Sequence, residues 1–283
     1  MIRMKRLFFA SVALCLSVAQ LQAQPKKPGA IQFESTFDPA AMAAANGIKL
    51  SDEVLARMPK SSVSSLELLF TLTHASYMPV EDIEDSNSSS GGGNGFGGGM
   101  RFRGFGGGNK EYYYSFADHK LVESFDLNDT TFVMGDQMGK PVQMVPGADN
   151  IPVVEYTKSG ETRNIIGFTC HKVIAKTTVK RKIMDEEKVI TDESNLWYTD
   201  ELGFDFSPNP ALWTQGAVLA IEGKGTSIRA KSIAYRNVSA KDVMQPKKAL
   251  PITPEAYRLK IEQRRKLMRG NRNRGQVRSI TIN

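Results

Sequence analysis

The stretch Arg163–Val173, RNIIGFTCHKV, sets a cysteine beside a histidine, and such a pair can serve three chemistries. A thiolate next to an imidazole is a nucleophile, the two side chains together are half of a soft metal site, and a free thiol is also an apolar filler. The stretch reads as a β-strand, and a strand sends neighbouring side chains to opposite faces. Cys170 then shares a face with Ile166, Phe168 and Ile174, while His171 points away with Thr169 and Val173. The expectation is a packed thiol; a β-bulge between 168 and 171 would reverse it.

The remaining candidates are weaker. His74, His119 and His171 fall on three predicted strands without ligand spacing. Met134, Met138 and Met144 in MGDQMGKPVQM offer thioethers to a cuprous ion, or fill apolar gaps. Asp200 and Glu201 follow Trp197 and Tyr198, which would suit a general-acid pair on an aromatic platform or, more simply, the polar rim of a strand end. The carboxylates of MDEEK (184–188) sit where a hairpin must turn. The sequence holds no Gly-x-Ser-x-Gly elbow, phosphate loop, His-Glu-x-x-His or paired-cysteine motif. Neither a catalytic residue, a metal nor a cofactor is assigned.

The ends of the chain carry more. Arg3, Lys5 and Arg6 precede the apolar run Leu7–Val18, and Leu21-Gln22-Ala23 offers a small residue for cleavage, so residues 1–23 read as a secretory signal peptide. Cys15 follows Leu14, where lipid attachment wants a small residue, so no lipid anchor is expected. Cleavage leaves Cys170 as the lone cysteine, and stability must then come from burial rather than disulfides. The formal charge of +7 is unevenly spread: the signal contributes +3 and Arg258–Arg278 contributes +8, which leaves −4 for the remainder. Arg264, Arg265, Lys266, Arg269, Arg272 and Arg274 form a cationic patch suited to an anionic lipid surface or an acidic partner, unless the segment is simply a solvated end.

The elements that must position these residues are mostly strands. Ala30–Phe37 places Ile31, Phe33 and Ser35 on one face. Asp38-Pro39 opens one short helix and Ser51 caps another. Residues 64–78, SSLELLFTLTHASYM, read as a single extended strand with Leu72 and His74 on its apolar face. The piece 85–109 holds eleven of the 24 glycines and reads as a disordered loop between strands. Its Arg101, Phe102, Arg103 and Phe105 imitate nucleic-acid-binding boxes, but export removes that partner. EYYYSFADHKLVESF turns at Ala117-Asp118, and further short strands follow, the last two beginning at Trp213 and Thr226. Strands without intervening helices predict a mainly β fold: a curved antiparallel sheet or partly closed barrel. Thr253-Pro254-Glu255 opens a final helix running to Gly270. The domain plan is thus 24–250 as one β-rich unit and 251–283 as a basic helix and tail.

On these residues the chain resembles the GLPGLI family, exported envelope proteins of unknown function. TRNIIGFTCHKVIA is similar to that family's Gly-aromatic-x-Cys core, LWYTDEL to its Trp-Tyr-Thr segment, and LELLFTLTHASY to its upstream strand. The eponymous motif is absent; PNPALWTQGAVLAIEG stands in its place and keeps Gly216 with the apolar strand after it. The resemblance implies an exported protein and carries over no catalytic residue. Two expectations follow. In the first, the chain is a non-catalytic periplasmic carrier whose concave face, lined by Phe70, Tyr113, Phe168, Trp197 and Trp213, holds an apolar ligand or partner segment. In the second, it is an assembly accessory of an outer-membrane transporter, acting through the glycine-rich loop and basic tail.

Overall fold

The computed structural model describes residues 25–45, 47, 49–58, 61–80, 110–127, 129–139, 152–183 and 186–278. The signal segment, the glycine-rich loop 85–109, Met144 and the start of the MDEEK turn lie outside those residues. In chain order the elements are β1 (Gly29–Phe37), α1 (Pro39–Ala45), α2 (Asp52–Arg57), β2 (Ser62–Phe70), β3 (His74–Pro79), β4 (Glu111–Ser115) and β5 (Lys120–Leu127). They continue with β6 (Thr130–Gln137), β7 (Val153–Ile165), β8 (Phe168–Ile183), β9 (Glu186–Thr199), β10 (Ala217–Gly223), β11 (Thr226–Tyr235), β12 (Leu250–Pro251) and α3 (Pro254–Arg278).

The twelve strands among the described residues join one sheet in the order β12-β6-β5-β4-β3-β2-β1-β11-β10-β9-β8-β7. The two ends do not meet, so the fold is a curved, open, mainly antiparallel sheet with two short N-terminal helices and a C-terminal helix. Parallel pairing occurs between β12 and β6, where Leu250 and Pro251 face Phe132 and Val133. Alternation in β1 works as the sequence dictates: Ile31, Phe33 and Ser35 are buried. The helix caps form as read, with Asp38 Oδ1 accepting from Ala41 N at 2.9 Å and Ser51 Oγ from Val54 N at 3.4 Å.

Four local readings are corrected. The run 64–78 is not one strand but the hairpin β2–β3. Thr71 closes its turn: the backbone N–H donates to His74 O at 2.8 Å, and Oγ1 accepts from His74 N at 3.0 Å. Leu72, expected in the core, stands in that turn, exposed. His119 lies in the β4–β5 turn at φ +49° rather than on a strand. Trp213 also precedes its strand, because β10 begins only after Gly216 at φ +80°. Finally, α3 passes through Gly270 to Arg278. A helical glycine costs about 1 kcal/mol relative to alanine, which does not by itself end a helix.

The core begins as a row across six strands: Ile31, Leu68, Tyr77, Tyr112, Glu123 and Met134 are successive cross-strand neighbours from β1 to β6. The connection 200–216 lays Phe204 and Phe206 on the core. Phe206 meets the rings of Phe33, Tyr77 and Tyr114 at centroid distances of 5.7, 5.3 and 5.4 Å. Phe204 meets Phe70 and Phe116, each at 5.1 Å. The first turns of α3 pack Tyr257 and Ile261 against Phe125, Phe132 and Met134, so the helix begins as part of the sheet's own core.

Candidate functional site

The two boxes on which the family resemblance rests meet in space. Arg163 on β7 lies opposite Cys170 on β8, Lys172 lies opposite Trp197 on β9, and Asn195 lies opposite Glu222 on β10. Strand alternation therefore puts Arg163, Cys170, Lys172, Trp197 and Glu222 on one side of β7–β10. Between Arg163 and His171 the ladder has no register shift; the irregularity falls between Lys158 and Thr162. His171 accordingly faces the other way, exposed beside Tyr198 at a ring distance of 5.9 Å. The Cys-His dipeptide is not a dyad.

The geometry around Trp197 is tightly held. The guanidinium carbon of Arg163 lies 4.1 Å from the indole centroid, a cation–π distance. Arg163 Nη1 donates to Glu222 Oε1 at 2.7 Å, and Trp197 Nε1 donates to Glu222 Oε2 at 3.1 Å. One carboxylate thus clamps the guanidinium onto the indole. Lys172 Nζ lies 5.8 Å from the same ring and pairs with Glu161 at 2.8 Å. The Lys172 hydrogen bond, and after it that of Ser159, holds Glu161 below the usual carboxylate range.

Cys170 is fully buried in the main core cluster, with its Sγ 3.7 Å from Phe168 O. Burial pushes its thiol up to about 11; the Arg163 charge pulls down and the Glu201 charge pushes up. A protonated, enclosed thiol is a packing group at neutral pH. Ile166 occupies the β7–β8 turn rather than the strand, at φ +46°, followed by Gly167 at +93°. A β-branched residue rarely adopts that conformation. Packing of Ile166 against the core and the bond from Gly167 N to Asn164 Oδ1 at 3.1 Å hold it there.

Asp200 and Glu201 do not form a pair over the aromatic platform. Glu201 Oε1 accepts from Thr169 N at 2.9 Å, and the Trp197 ring is already occupied by Arg163. Of the five lining candidates, Phe70 and Trp197 belong to the main core cluster, and Phe168 and Trp213 pack against its edge. Tyr113 points to the side of β4 opposite Tyr112 and Tyr114, and donates to Glu111 Oε2 at 2.7 Å. Met134 packs with Phe125 and Tyr257, and Met138 against the main cluster. Among the described residues, no group of three or more His, Cys, Asp or Glu side chains is placed to hold a metal.

Sequence reasoning missed a second polar site, on β3–β5. Glu123 is buried, pairs with Lys110 at 2.6 Å through Oε1, and leaves Oε2 without a partner. Burial raises its pKa, against the lowering effect of Lys110. The Tyr77 hydroxyl in the same row is buried and unpartnered too, and burial drives its pKa far up. A charged residue at an inward position of β5, after Leu121 and before Phe125, was the signal available for it.

The basic patch is only partly within view. Arg264 is half-buried and Lys266 exposed; Arg265, Arg269, Arg272 and Arg274 have helical backbone, with side chains outside the described residues. Leu259 and Leu267 are exposed at 55% and 71%, so apolar as well as cationic groups of this helix face solvent. No helix among the described residues is long and apolar enough to cross a membrane.

No family model matches the chain, and no curated protein matches it. Among solved structures it is similar to PNGF-II in a C2 crystal form, with 11% identity, 83% of this chain and 32% of that chain covered, and a TM-score of 0.47. A P21 crystal form of PNGF-II is similar at 13% identity, over 83% of this chain and 33% of that chain, again at 0.47. The chain spans about a third of the length of those solved chains.

Proposed function

We propose that the chain is an exported, non-catalytic protein of the cell envelope, a divergent relative of the GLPGLI proteins, and that it works by surface contact. The observation that carries this reading is the state of the apolar face. Phe204 and Phe206 of the chain's own 200–216 connection pack, tilted or edge-on, against Phe33, Phe70, Tyr77, Tyr114 and Phe116, where a carried ligand would lie. The contact element is then α3. Its first turns are fixed to the sheet by Tyr257 and Ile261, and beyond Arg264 its backbone continues for about 20 Å at the usual helical rise. With nine Arg and Lys against Glu262 from 258 to 278, it suits an anionic membrane surface or an acidic face of an outer-membrane transporter.

Deleting Arg264–Asn283 tests this in cells. Among the described residues the deletion removes no member of the core clusters, so the chain should still fold but leave the envelope membrane fraction for the soluble one. Retention of the truncated protein with the membrane would rule the reading out. A second reading, the apolar carrier, is supported by Phe70, Phe168, Trp197 and Trp213 collecting at one cluster. It requires the 200–216 connection to lift, and lipid co-purifying in native mass spectrometry of envelope-derived protein would favour it.

A further inference from the structure

The side of α3 that faces the sheet is settled by Tyr257 and Ile261, one turn apart and buried against Phe125, Phe132 and Met134. At about 100° per residue, Leu259 then lies opposite that seat. Leu267, about two turns on and about 80° further round, still belongs to the half of the helix turned away from the sheet. Both leucines are exposed. Between 259 and 267, the residues Lys266, Leu259, Gln263, Leu267 and Lys260 follow one another around the helix, and all five are exposed. Lys266 closes one margin of this strip. Lys260 closes the other, where the helix meets the sheet, with its ammonium 5.3 Å from the Phe132 ring centroid. Glu262 falls outside the strip.

Two leucines bounded by two lysines suit a helix lying in a bilayer interface. There the apolar side chains enter the acyl boundary, and lysine stems reach past them to keep the ammonium groups among the headgroups. Nine Arg and Lys against Glu262 from 258 to 278 require those headgroups to be anionic. An acidic protein face would satisfy the charges but would meet the leucines with carboxylates, whereas an anionic bilayer satisfies both. We propose that α3 lies along an anionic bilayer on this strip, with Leu259 and Leu267 inserted and Lys260 and Lys266 at the headgroups on either side. The proposal rests on α3 being the contact element and specifies its partner and the side it presents.

The test is binding of the full chain to phosphatidylcholine vesicles with and without phosphatidylglycerol, at about 0.15 M salt, where screening has weakened the purely electrostatic part. Leu259→Gln with Leu267→Gln keeps every charge and good helix formers at both exposed positions. Its partition onto the phosphatidylglycerol vesicles should fall about tenfold, since two leucines lose apolar burial. The matched change on α2, Val54→Gln with Leu55→Gln, also alters exposed apolar residues and should leave partition unchanged. Leu267→Trp should gain quenching by lipid brominated on its acyl chains that the wild type lacks. Equal partition of the wild type and the α3 double variant would overturn the proposal while leaving α3 as a purely electrostatic contact. An equal fall in the α2 variant, no added quenching in Leu267→Trp, or wild-type binding that is as tight without phosphatidylglycerol would overturn it too. So would no binding of the wild type to either vesicle; release of the Arg264–Asn283 deletion from the membrane in cells would then point to an acidic protein partner, and its retention to failure of the contact reading itself.

Discussion

At Cys170 the sequence posed a question of reactivity, and burial with the run of the strand answers it. The thiol is enclosed and its pKa is raised to about 11, so at pH 8 a thiol reagent should label the native protein far more slowly than the unfolded chain. Equal labelling rates before and after denaturation would contradict this. The same shift sets a pH window. Because the folded pKa lies above the ordinary value of 9.0, this contribution to stability is complete below about pH 9 and is lost as pH rises towards 11. Gly216 makes a second residue-scale case. It sits at φ +80°, and an added Cβ would come within 2.6 Å of both Thr199 O and Asp200 Oδ1. Gly216→Ala should therefore cost about 2 kcal/mol or more in urea unfolding, since strain and overlap add; a loss under half that would show that the turn can relax. Cys170's orientation was legible because alternation is local. Arg163 was not, because its meaning depends on Glu222, which lies 59 residues away in the chain.

Among the elements, strands with clear alternation, such as β1, and helices with side-chain caps, such as α1 and α2, were readable from sequence. The β2–β3 hairpin was not, since its turn is made by Thr71, a strand-favouring residue, closing on His74 without glycine or proline. The 200–216 connection escaped as well: Phe204 and Phe206 are isolated aromatics in a stretch without periodicity, and only the assembled sheet gives them partners. Phe206→Ala should destabilise by about 3–5 kcal/mol, the usual cost of emptying a buried aromatic site. A loss near 1 kcal/mol would mean that the connection is loosely held and would reopen the carrier reading. On β5, Glu123 has a raised pKa through burial, with Lys110 as its ion-pair partner and Tyr112 as a neighbour in the row. Its contribution to stability is greatest below the ordinary value of 4.5 and is lost as pH rises through the folded value. Urea midpoints at pH 4 and pH 7 should consequently differ less in Glu123→Gln than in the wild type, and an unchanged difference would refute the assignment.

At the scale of the molecule, the described strands form one open sheet whose two ends are unlike. At one end the short β12 leads into α3, which is anchored by Tyr257 and Ile261 and then continues as a basic helix. The other ends on the thirteen-residue strand β7, which carries Arg163. This polarity puts the basic helix and the Arg163–Trp197–Glu222 cluster at opposite ends of the sheet. Charge distribution was legible at this scale because it needs no contacts, whereas the filling of the apolar face was not. Co-sedimentation of the purified chain with phosphatidylglycerol-containing vesicles tests the contact reading most directly. The full chain should pellet with them, progressively less as salt is raised from about 50 to 500 mM, since screening weakens exposed charge pairs, and the chain ending at Gln263 should stay in solution. Equal pelleting of the full and truncated chains, or no pelleting of either, would contradict the account.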